Sequence, residues 1–178
     1  MRTIGLILIV CSLAACGRRP PPTPAVPPTR VEIWDAIQPL AERYRIAPEF
    51  VYALVAAESN FDPHARQGEA RGLLQLKPRA WRTVSPTPYE PAVWDWRINL
   101  AVGVDYLAYS RAYLHKQAVF SYPLLLAAFH YGLDYVAARD FDAGRMAIPD
   151  SPIYRELWAG HLAPVAPPRR APSPGRSD

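Results

Sequence analysis

The sequence contains few cysteines and no long hydrophobic run, and each absence excludes a class of structure. Its two cysteines, Cys11 and Cys16, both lie near the start of the 178 residues, so a disulfide within a later domain is excluded. The apolar run over residues 4–10 is too short to span a bilayer as a helix. Between residues 31 and 163, strict alternation of apolar and polar residues is nearly absent, which argues against a sheet.

A basic surface of the kind that binds nucleic acid is also missing. The chain carries 20 Lys and Arg against 16 Asp and Glu, a net charge of +4. Seven of the bases and one acid lie outside residues 31–163, so that segment holds 13 bases and 15 acids and has a net charge of −2. We therefore expect no nucleic-acid partner. The four histidines show neither ligand spacing nor an HExxH pattern, so no metal or cofactor is expected.

The first fifteen residues have the pattern of an export signal peptide, because Arg2 precedes the short apolar run and small residues follow it. The segment Leu13-Ala14-Ala15-Cys16 resembles a bacterial lipobox, in which Cys16 becomes the lipid-bearing N-terminus. The alternative is an ordinary signal peptide cut at the same small residues, with Cys16 incidental. Gly17 follows the cysteine, and by resemblance to Gram-negative lipoproteins it indicates a lipid anchor at the periplasmic face of the outer membrane.

Proline is abundant, at 21 residues, and it marks the segments outside the domain. Residues 16–30 favour polyproline II and predict a semi-rigid linker between the lipidated N-terminus and the domain. Residues 164–178 are rich in Pro, Arg and Ser, and we expect them to be disordered. A single domain over residues 31–163 remains.

Apolar residues in this domain recur at spacings of three and four, which predicts an all-α fold. Two stripes carry the pattern, formed by Ile33, Ile37, Leu40, Ala41 and Tyr44 and by Leu100, Val104, Leu107 and Leu114. Pro39 is expected to kink or split the first helix. Ser121 is expected to cap a central apolar helix over residues 124–131. A last helix is predicted over residues 153–162, and a proline-rich loop over residues 83–96.

One glutamate occupies a position where a core residue is expected. Pro48 predicts the start of a helix, and its buried face is formed by Phe50, Val51, Leu54 and Val55. The same 3.6-residue period places Glu58 on that face. Desolvation and the negative end of the helix both favour the protonated carboxyl, which is the form that a general acid needs. The alternative is a structural glutamate that is ion-paired to a neighbour such as Arg71.

Four short segments follow one another in a characteristic order. They are Glu58-Ser59, Gly72-Leu73-Leu74-Gln75, Ala128-Phe129-His130-Tyr131-Gly132 and Asp150-Ser151-Pro152-Ile153-Tyr154. With Asn99, Gly103 and Tyr106 between them, the sequence resembles the soluble lytic transglycosylase (SLT) family, relatives of goose-type lysozyme, over residues 37–158. The resemblance implies a single lysozyme-like helical domain with a substrate cleft.

The resemblance also implies a peptidoglycan substrate and a single catalytic acid. The family cleaves the β-1,4 bond between N-acetylmuramic acid and N-acetylglucosamine and releases a 1,6-anhydro sugar, with the substrate's acetamido group in place of a second carboxylate. Glu58 would protonate the leaving oxygen and then accept the proton of the 6-hydroxyl. Gln75 would hydrogen-bond sugar substituents and Tyr154 would orient Glu58. Ser59 would contact the substrate or only complete its helix.

Two of the implied substrate-binding positions depart from the family pattern. Phe129 lacks the hydroxyl of the family's tyrosine, so Tyr131 or Tyr154 would have to replace it. His130 stands where the family has Asn, and its imidazole either adds a titratable charge near Glu58 or simply packs.

These departures leave two other functions open. A lysozyme-type muramidase would use Asp62 to activate water, although a turn role is expected for that residue. A catalytically impaired glycan-binding lipoprotein would keep the fold alone and act with envelope partners that the sequence does not identify. Aromatic side chains would line the sugar subsites, because the apolar faces of sugars stack on aromatic rings. The candidates are Trp81, Trp94, Trp96 and Tyr89. The alternative is that these side chains are buried in the core.

Overall fold

A computed structural model describes residues 26–169, and they form an all-α domain as predicted. The predicted signal peptide, Cys16, most of the linker and the last part of the tail lie outside the described residues. The elements in chain order are α1 (Arg30–Arg43), α2 (Pro48–Ser59), β1 (Arg66–Gln67), β2 (Ala70–Arg71), α3 (Pro78–Val84), α4 (Tyr89–Ala92), α5 (Trp96–Lys116), α6 (Tyr122–Tyr131), α7 (Leu133–Ala137), a 3₁₀ helix (Ala143–Arg145) and α8 (Pro152–Trp158). None of these helices is long and apolar enough to cross a membrane.

Side-chain caps in the sequence set the starts of two helices. At α1, Thr29 Oγ1 accepts a hydrogen bond from the Glu32 N–H at 3.2 Å, and the Glu32 carboxylate accepts one from the Thr29 N–H at 2.8 Å. At α6, Ser121 Oγ accepts from the Leu124 N–H at 3.3 Å, as predicted. Helix α1 continues through Pro39, so the split that the proline suggested does not occur.

The core is built around α2, α5 and α6. Helix α2 packs against α1 and α8, while α6 packs against α5, α7 and α8. The central place predicted for α6 is confirmed, because residues 124–128 are all buried in the main cluster. The predicted stripe on α5 is fully buried as well, at Leu100, Val104, Leu107 and Leu114. Each such side chain stabilises the fold by about 1.5–3 kcal/mol.

Two predicted boundaries are wrong. Residues 83–96 do not form one loop, because α3 extends to Val84 and α4 lies between that helix and α5. The predicted last helix ends at Trp158 instead of residue 162. Gly160 adopts a φ of +89°, and the His161 N–H bonds the Glu156 carbonyl at 3.0 Å. This Schellman turn ends α8 one turn earlier than predicted, and Gly160 is the residue in the sequence from which the earlier end could have been predicted.

The loop that follows the β-hairpin is fastened to α5 by Asn99. This side chain is fully buried. Its Oδ1 accepts from the Leu74 N–H at 3.0 Å, and its Nδ2 donates to the carbonyls of Arg71 at 3.0 Å and Val93 at 3.2 Å. One amide thus satisfies three backbone groups and fixes residues 72–76 against the helix.

Two glycines allow this close approach. A Cβ added at Gly72 would lie 2.3 Å from Asn99 Nδ2, and the backbone there has a φ of +76°, which favours glycine. A Cβ added at Gly103 would lie 2.3 Å from Leu74 Cδ1. The loop therefore packs on α5 with no room for larger residues, and it forms one wall of the cavity described next.

Candidate active site

Glu58 lies in the last turn of α2 and faces a cavity. Asn60 ends the helix in the left-handed conformation, at φ 50° and ψ 37°. The Glu58 side chain is 11% exposed and lines a cavity of about 870 Å³, a volume typical of ligand sites. The structure thus places the carboxyl on the inward face that the helical period predicted, at the edge of an open groove.

Tyr154 and His130 meet Glu58 from two other helices. The Tyr154 hydroxyl, which comes from α8, donates a hydrogen bond to Glu58 Oε1. His130 Nδ1, from the end of α6, lies 3.1 Å from that hydroxyl and 3.9 Å from Glu58 Oε1. The expected proximity of Tyr154 and Glu58 is therefore observed, and the histidine joins the same cluster.

The Tyr154 hydroxyl keeps its proton under all ordinary conditions. Its side chain is 3% exposed, and this burial raises the pKa of Tyr154 far above its ordinary value. The negative charge of Glu58 and the hydrogen bond to it raise that pKa further. The phenol therefore always has one hydrogen to donate.

The predicted alternative of an arginine-paired Glu58 is not observed. Arg71 Nη1 donates to the backbone carbonyls of Gly68 at 2.5 Å and Ala70 at 2.9 Å. Within residues 26–169, the ion-pair contact of Glu58 is with His130. Neither an arginine nor a lysine of the described residues therefore pairs with the Glu58 carboxyl.

Phe129 and Tyr131 flank the histidine, and both line the cavity. The Phe129 ring lies 5.9 Å from the Tyr106 ring and makes an apolar contact there. The Tyr131 hydroxyl donates to the Ala147 carbonyl at 2.7 Å. Of the two tyrosines expected to replace the missing hydroxyl of Phe129, Tyr154 is the one on Glu58.

Gln75 lines the cavity, but its amide hydrogens are already used. Its Nε2 donates to the carbonyls of Ala65 at 3.0 Å and Gly72 at 2.8 Å. Its Oε1 is buried and has no partner among the described residues. The expectation of an amide that both donates and accepts toward sugars is corrected here. Gln75 fixes its own loop, and its amide oxygen is buried away from the cavity.

Ser59 and Asp62 do not line the cavity. The Ser59 hydroxyl donates to the Val55 carbonyl at 3.1 Å within its own helix, which corresponds to the helix-completing alternative. The Asp62 carboxylate accepts from the His64 N–H at 2.8 Å, which is the turn geometry expected for this residue. Neither side chain is placed to act on a ligand beside Glu58.

The aromatic residues proposed for sugar subsites lie elsewhere. None of the four lines the cavity. Trp81 is fully buried in the core, and the Tyr89 hydroxyl donates to the Leu76 carbonyl at 2.8 Å. Trp94 packs under the Arg66 guanidinium at 4.3 Å, and Trp96 packs under Arg97. These four aromatic side chains are therefore buried or packed against neighbouring residues, and they do not form sugar subsites in this cavity.

Four tyrosines that the sequence analysis did not propose as sugar contacts line the cavity instead: Tyr106, Tyr109, Tyr131 and Tyr135. They form two stacked pairs, with ring centroids 6.4 Å apart on α5 and 4.5 Å apart between α6 and α7. Within each pair the two tyrosines are three or four residues apart, and this spacing is the feature of the sequence that could have predicted that they lie on the same face. Burial raises the pKa of Tyr106, so its hydroxyl remains a hydrogen-bond donor.

Charged groups at the rim complete the cavity lining, and they include Glu69, Lys77, Arg79 and Asp134. Arg79 and Asp134 form an ion pair at 2.7 Å with both side chains 85% exposed, so the pair contributes little to stability. No cluster of three or more metal-binding side chains occurs in the described part of the chain.

Comparison with known proteins gives one family. The model of the transglycosylase SLT domain matches residues 35–141, more than half of the chain, including Glu58 and His130 but not Tyr154. No curated protein sequence matches. Among solved structures, the chain is similar to an inactive mutant of the lytic transglycosylase Slt from Pseudomonas aeruginosa, with 21% identity and a TM-score of 0.49 over 70% of this chain. The match spans 20% of the Slt chain.

Proposed function

The chain belongs to the transglycosylase SLT domain family, and we propose that it is a peptidoglycan lytic transglycosylase. In this proposal it cleaves the β-1,4 bond between N-acetylmuramic acid and N-acetylglucosamine and leaves a 1,6-anhydro ring on the muramic acid. One observation carries the proposal: the Glu58 carboxyl, mostly buried and free of any arginine or lysine partner in the described chain, opens on the cavity beside the Tyr154 hydroxyl.

The reaction needs a proton donor at the glycosidic oxygen and no added water. Glu58 gives its proton to that oxygen as the bond to C1 breaks, and N-acetylglucosamine leaves with a free 4-hydroxyl. The substrate's acetamido group stabilises the positive charge at C1. The Glu58 carboxylate then removes the proton of the 6-hydroxyl as O6 bonds to C1, which restores the acid.

The Tyr154 hydroxyl suits both halves of this cycle. It donates to Glu58 Oε1, which leaves Oε2 for the proton that moves. A hydrogen bond to a carboxylate is stronger than one to a neutral acid, so Tyr154 stabilises the form that follows the first proton transfer. Because Tyr154 is buried in α8, it also fixes the direction of the carboxyl.

The rest of the cavity supports a glycan ligand. Its stacked tyrosines offer flat apolar faces on which sugar rings pack, with hydroxyls that hydrogen-bond sugar substituents. The stacked tyrosines support binding of a polar, ring-shaped substrate near Glu58.

The test is digestion of purified sacculi by the wild-type chain, Glu58→Gln and the matched control Glu156→Gln, with products resolved by mass. Glu156 lies on α8, is exposed and bonds His161 outside the cavity. We expect anhydro products from the wild type and the control, and a loss of at least about 100-fold in Glu58→Gln. Equal activity of Glu58→Gln and the control would remove Glu58 from the mechanism.

The same digestion separates the two alternative functions. A muramidase gives reducing ends that are heavier by one water, and it needs a second carboxylate to activate that water. Of the carboxylates in the cavity lining, Asp134 is paired with Arg79, so Glu69→Gln is the variant that would abolish hydrolysis. A glycan-binding protein without activity would co-sediment with sacculi and release no soluble product.

The proposal includes a lipid anchor at the periplasmic face of the outer membrane. The lipobox pattern at Cys16 and the glycine after it support the anchor, and the proline-rich linker would extend the domain from the lipid by about 3.1 Å per residue. Labelling cells with a palmitate analogue is expected to mark the wild-type chain and not Cys16→Ala. Outer-membrane fractionation that does not depend on Cys16 would contradict the anchor.

A further inference from the structure

His130 is connected to the catalytic acid through one hydroxyl. Its Nδ1 lies 3.1 Å from the Tyr154 oxygen, and the same oxygen donates its hydrogen to Glu58 Oε1. The imidazole is 33% exposed, whereas Tyr154 is 3% exposed. The chain from His130 to Tyr154 to Glu58 therefore runs from the cavity surface into the buried end of α2.

The number of hydrogens available determines the direction of the hydrogen bonds between His130, Tyr154 and Glu58. The phenol has one hydrogen, and a carboxylate can only accept, so Tyr154 must donate to an ionised Glu58. The Tyr154 oxygen is then an acceptor toward His130, whose Nδ1 must carry a hydrogen. If Tyr154 instead donated to His130, Glu58 would need its own proton on Oε1, directed at Tyr154 and away from the cavity. With Tyr154 donating to Oε1, a protonated Glu58 carries its hydrogen on Oε2, where it is free to reach a substrate.

The imidazole reaches the carboxyl through the Tyr154 hydroxyl. Its Nδ1 lies 3.9 Å from Glu58 Oε1, which is beyond hydrogen-bond distance. The rings of Tyr131, on the same helix, and Tyr154, on α8, contact the imidazole edge-on, and Asp134 and Tyr135 of α7 line the same cavity. The nearby 3₁₀ helix contributes Arg145, which is paired with Asp140 and Asp142. Helix α5 faces this wall with Tyr106.

We infer that His130 is a positioning residue whose Nδ1–H holds the Tyr154 hydroxyl on Glu58. The structural half of this inference concerns the tautomer of His130 and is independent of substrate. The kinetic half, the effect on cleavage, rests on the proposed function. In the family pattern this position is Asn, whose side-chain amide can make the same donation.

The tautomer is measured by long-range proton–nitrogen correlation spectra of the full chain at a pH where its histidines are neutral. We expect His130 to carry its hydrogen on Nδ1. His161 is an internal reference, because its Nδ1 contacts the Glu156 carboxylate at 2.6 Å and must also be a donor. In Tyr154→Phe, His130 is expected to lose its Nδ1–H preference while His161 keeps it. A neutral His130 with its hydrogen on Nε2 in the wild type would overturn the inference, whatever the activity.

The kinetic test compares His130→Asn with His130→Ala. The amide nitrogen of Asn is attached to the same atom, Cγ, as Nδ1 of His, so it can donate to Tyr154 without ever becoming charged. We expect His130→Asn to keep kcat within about threefold, whereas His130→Ala, which lacks the donor, loses about tenfold. Equal losses in the two variants would overturn the positioning role.

His161→Asn is the matched control, because His161 is an exposed histidine outside the cavity, and it should leave kcat unchanged. A loss in this variant as large as in His130→Ala would overturn the positioning role. Failure of the wild type to cleave sacculi would instead contradict the proposed function and leave the tautomer result intact.

Discussion

Asn99 is expected to be the most sensitive position outside the cluster around Glu58. Asn99→Ala removes the partners of three buried backbone groups. The Arg71 carbonyl keeps its bond from the Leu76 N–H at 3.0 Å, whereas the Leu74 N–H and the Val93 carbonyl lose the bond that Asn99 supplies. Each buried unsatisfied group costs about 1–3 kcal/mol, so the free energy of unfolding should fall by about 4 kcal/mol.

This loss is a large part of a total stability of about 5–15 kcal/mol, and it corresponds to a fall in Tm of about 10 °C. Denaturant and thermal unfolding measure it directly. Gln117→Ala is the matched control, since this amide lies at the exposed end of α5, and it should change stability by less than about 0.5 kcal/mol. If Asn99→Ala costs no more than the control, the amide does not fasten the loop and the account of the cavity wall is wrong.

Three other substitutions test separate contacts. Gly103→Ala is expected to cost about 1–3 kcal/mol in denaturant unfolding, because the new Cβ would lie 2.3 Å from Leu74 Cδ1; an unchanged midpoint would contradict this packing. Ser59→Ala should change kcat/KM on sacculi by less than about twofold, since its hydroxyl donates to the Val55 carbonyl; a tenfold loss would show substrate contact. Burial raises the pKa of Tyr89 to about 12 from 10.0, so its contribution to stability is complete below about pH 10 and is lost as the pH rises toward 12. The difference in unfolding free energy between wild type and Tyr89→Phe should therefore shrink over that range, and a constant difference would refute it.

Local periodicity was enough to predict the helices that form the core. The stripe on α5 and the cap at Ser121 follow from spacing and from side-chain chemistry that act within one or two turns. The same argument placed Glu58 on the inward face of α2. These features depend on residues that are close in sequence, so the sequence alone contains their cause.

The features that were missed depend on contacts between distant residues. The proline-rich stretch contacts the core through Trp81, which donates to the Thr87 carbonyl at 2.7 Å and packs edge-on against Tyr89 of α4. The composition of the stretch carries no sign of that contact. Likewise, an amide such as Gln75 suits a sugar or a backbone carbonyl equally well, and only the folded loop shows that Ala65 and Gly72 take its hydrogens.

The acid and the opposite wall of the cavity are held by different parts of the core. Glu58, His130 and Tyr154 are fixed by the packing of α2, α6 and α8, whereas the loop of Gln75 is fastened to α5 through Asn99. Among the described residues, no hydrogen bond joins these two groups, and they meet across the open cavity. Substitutions in one group should therefore add to substitutions in the other. Changes at His130 should alter the position of the acid through Tyr154, and changes at Asn99 should alter the shape of the opposite wall of the cavity.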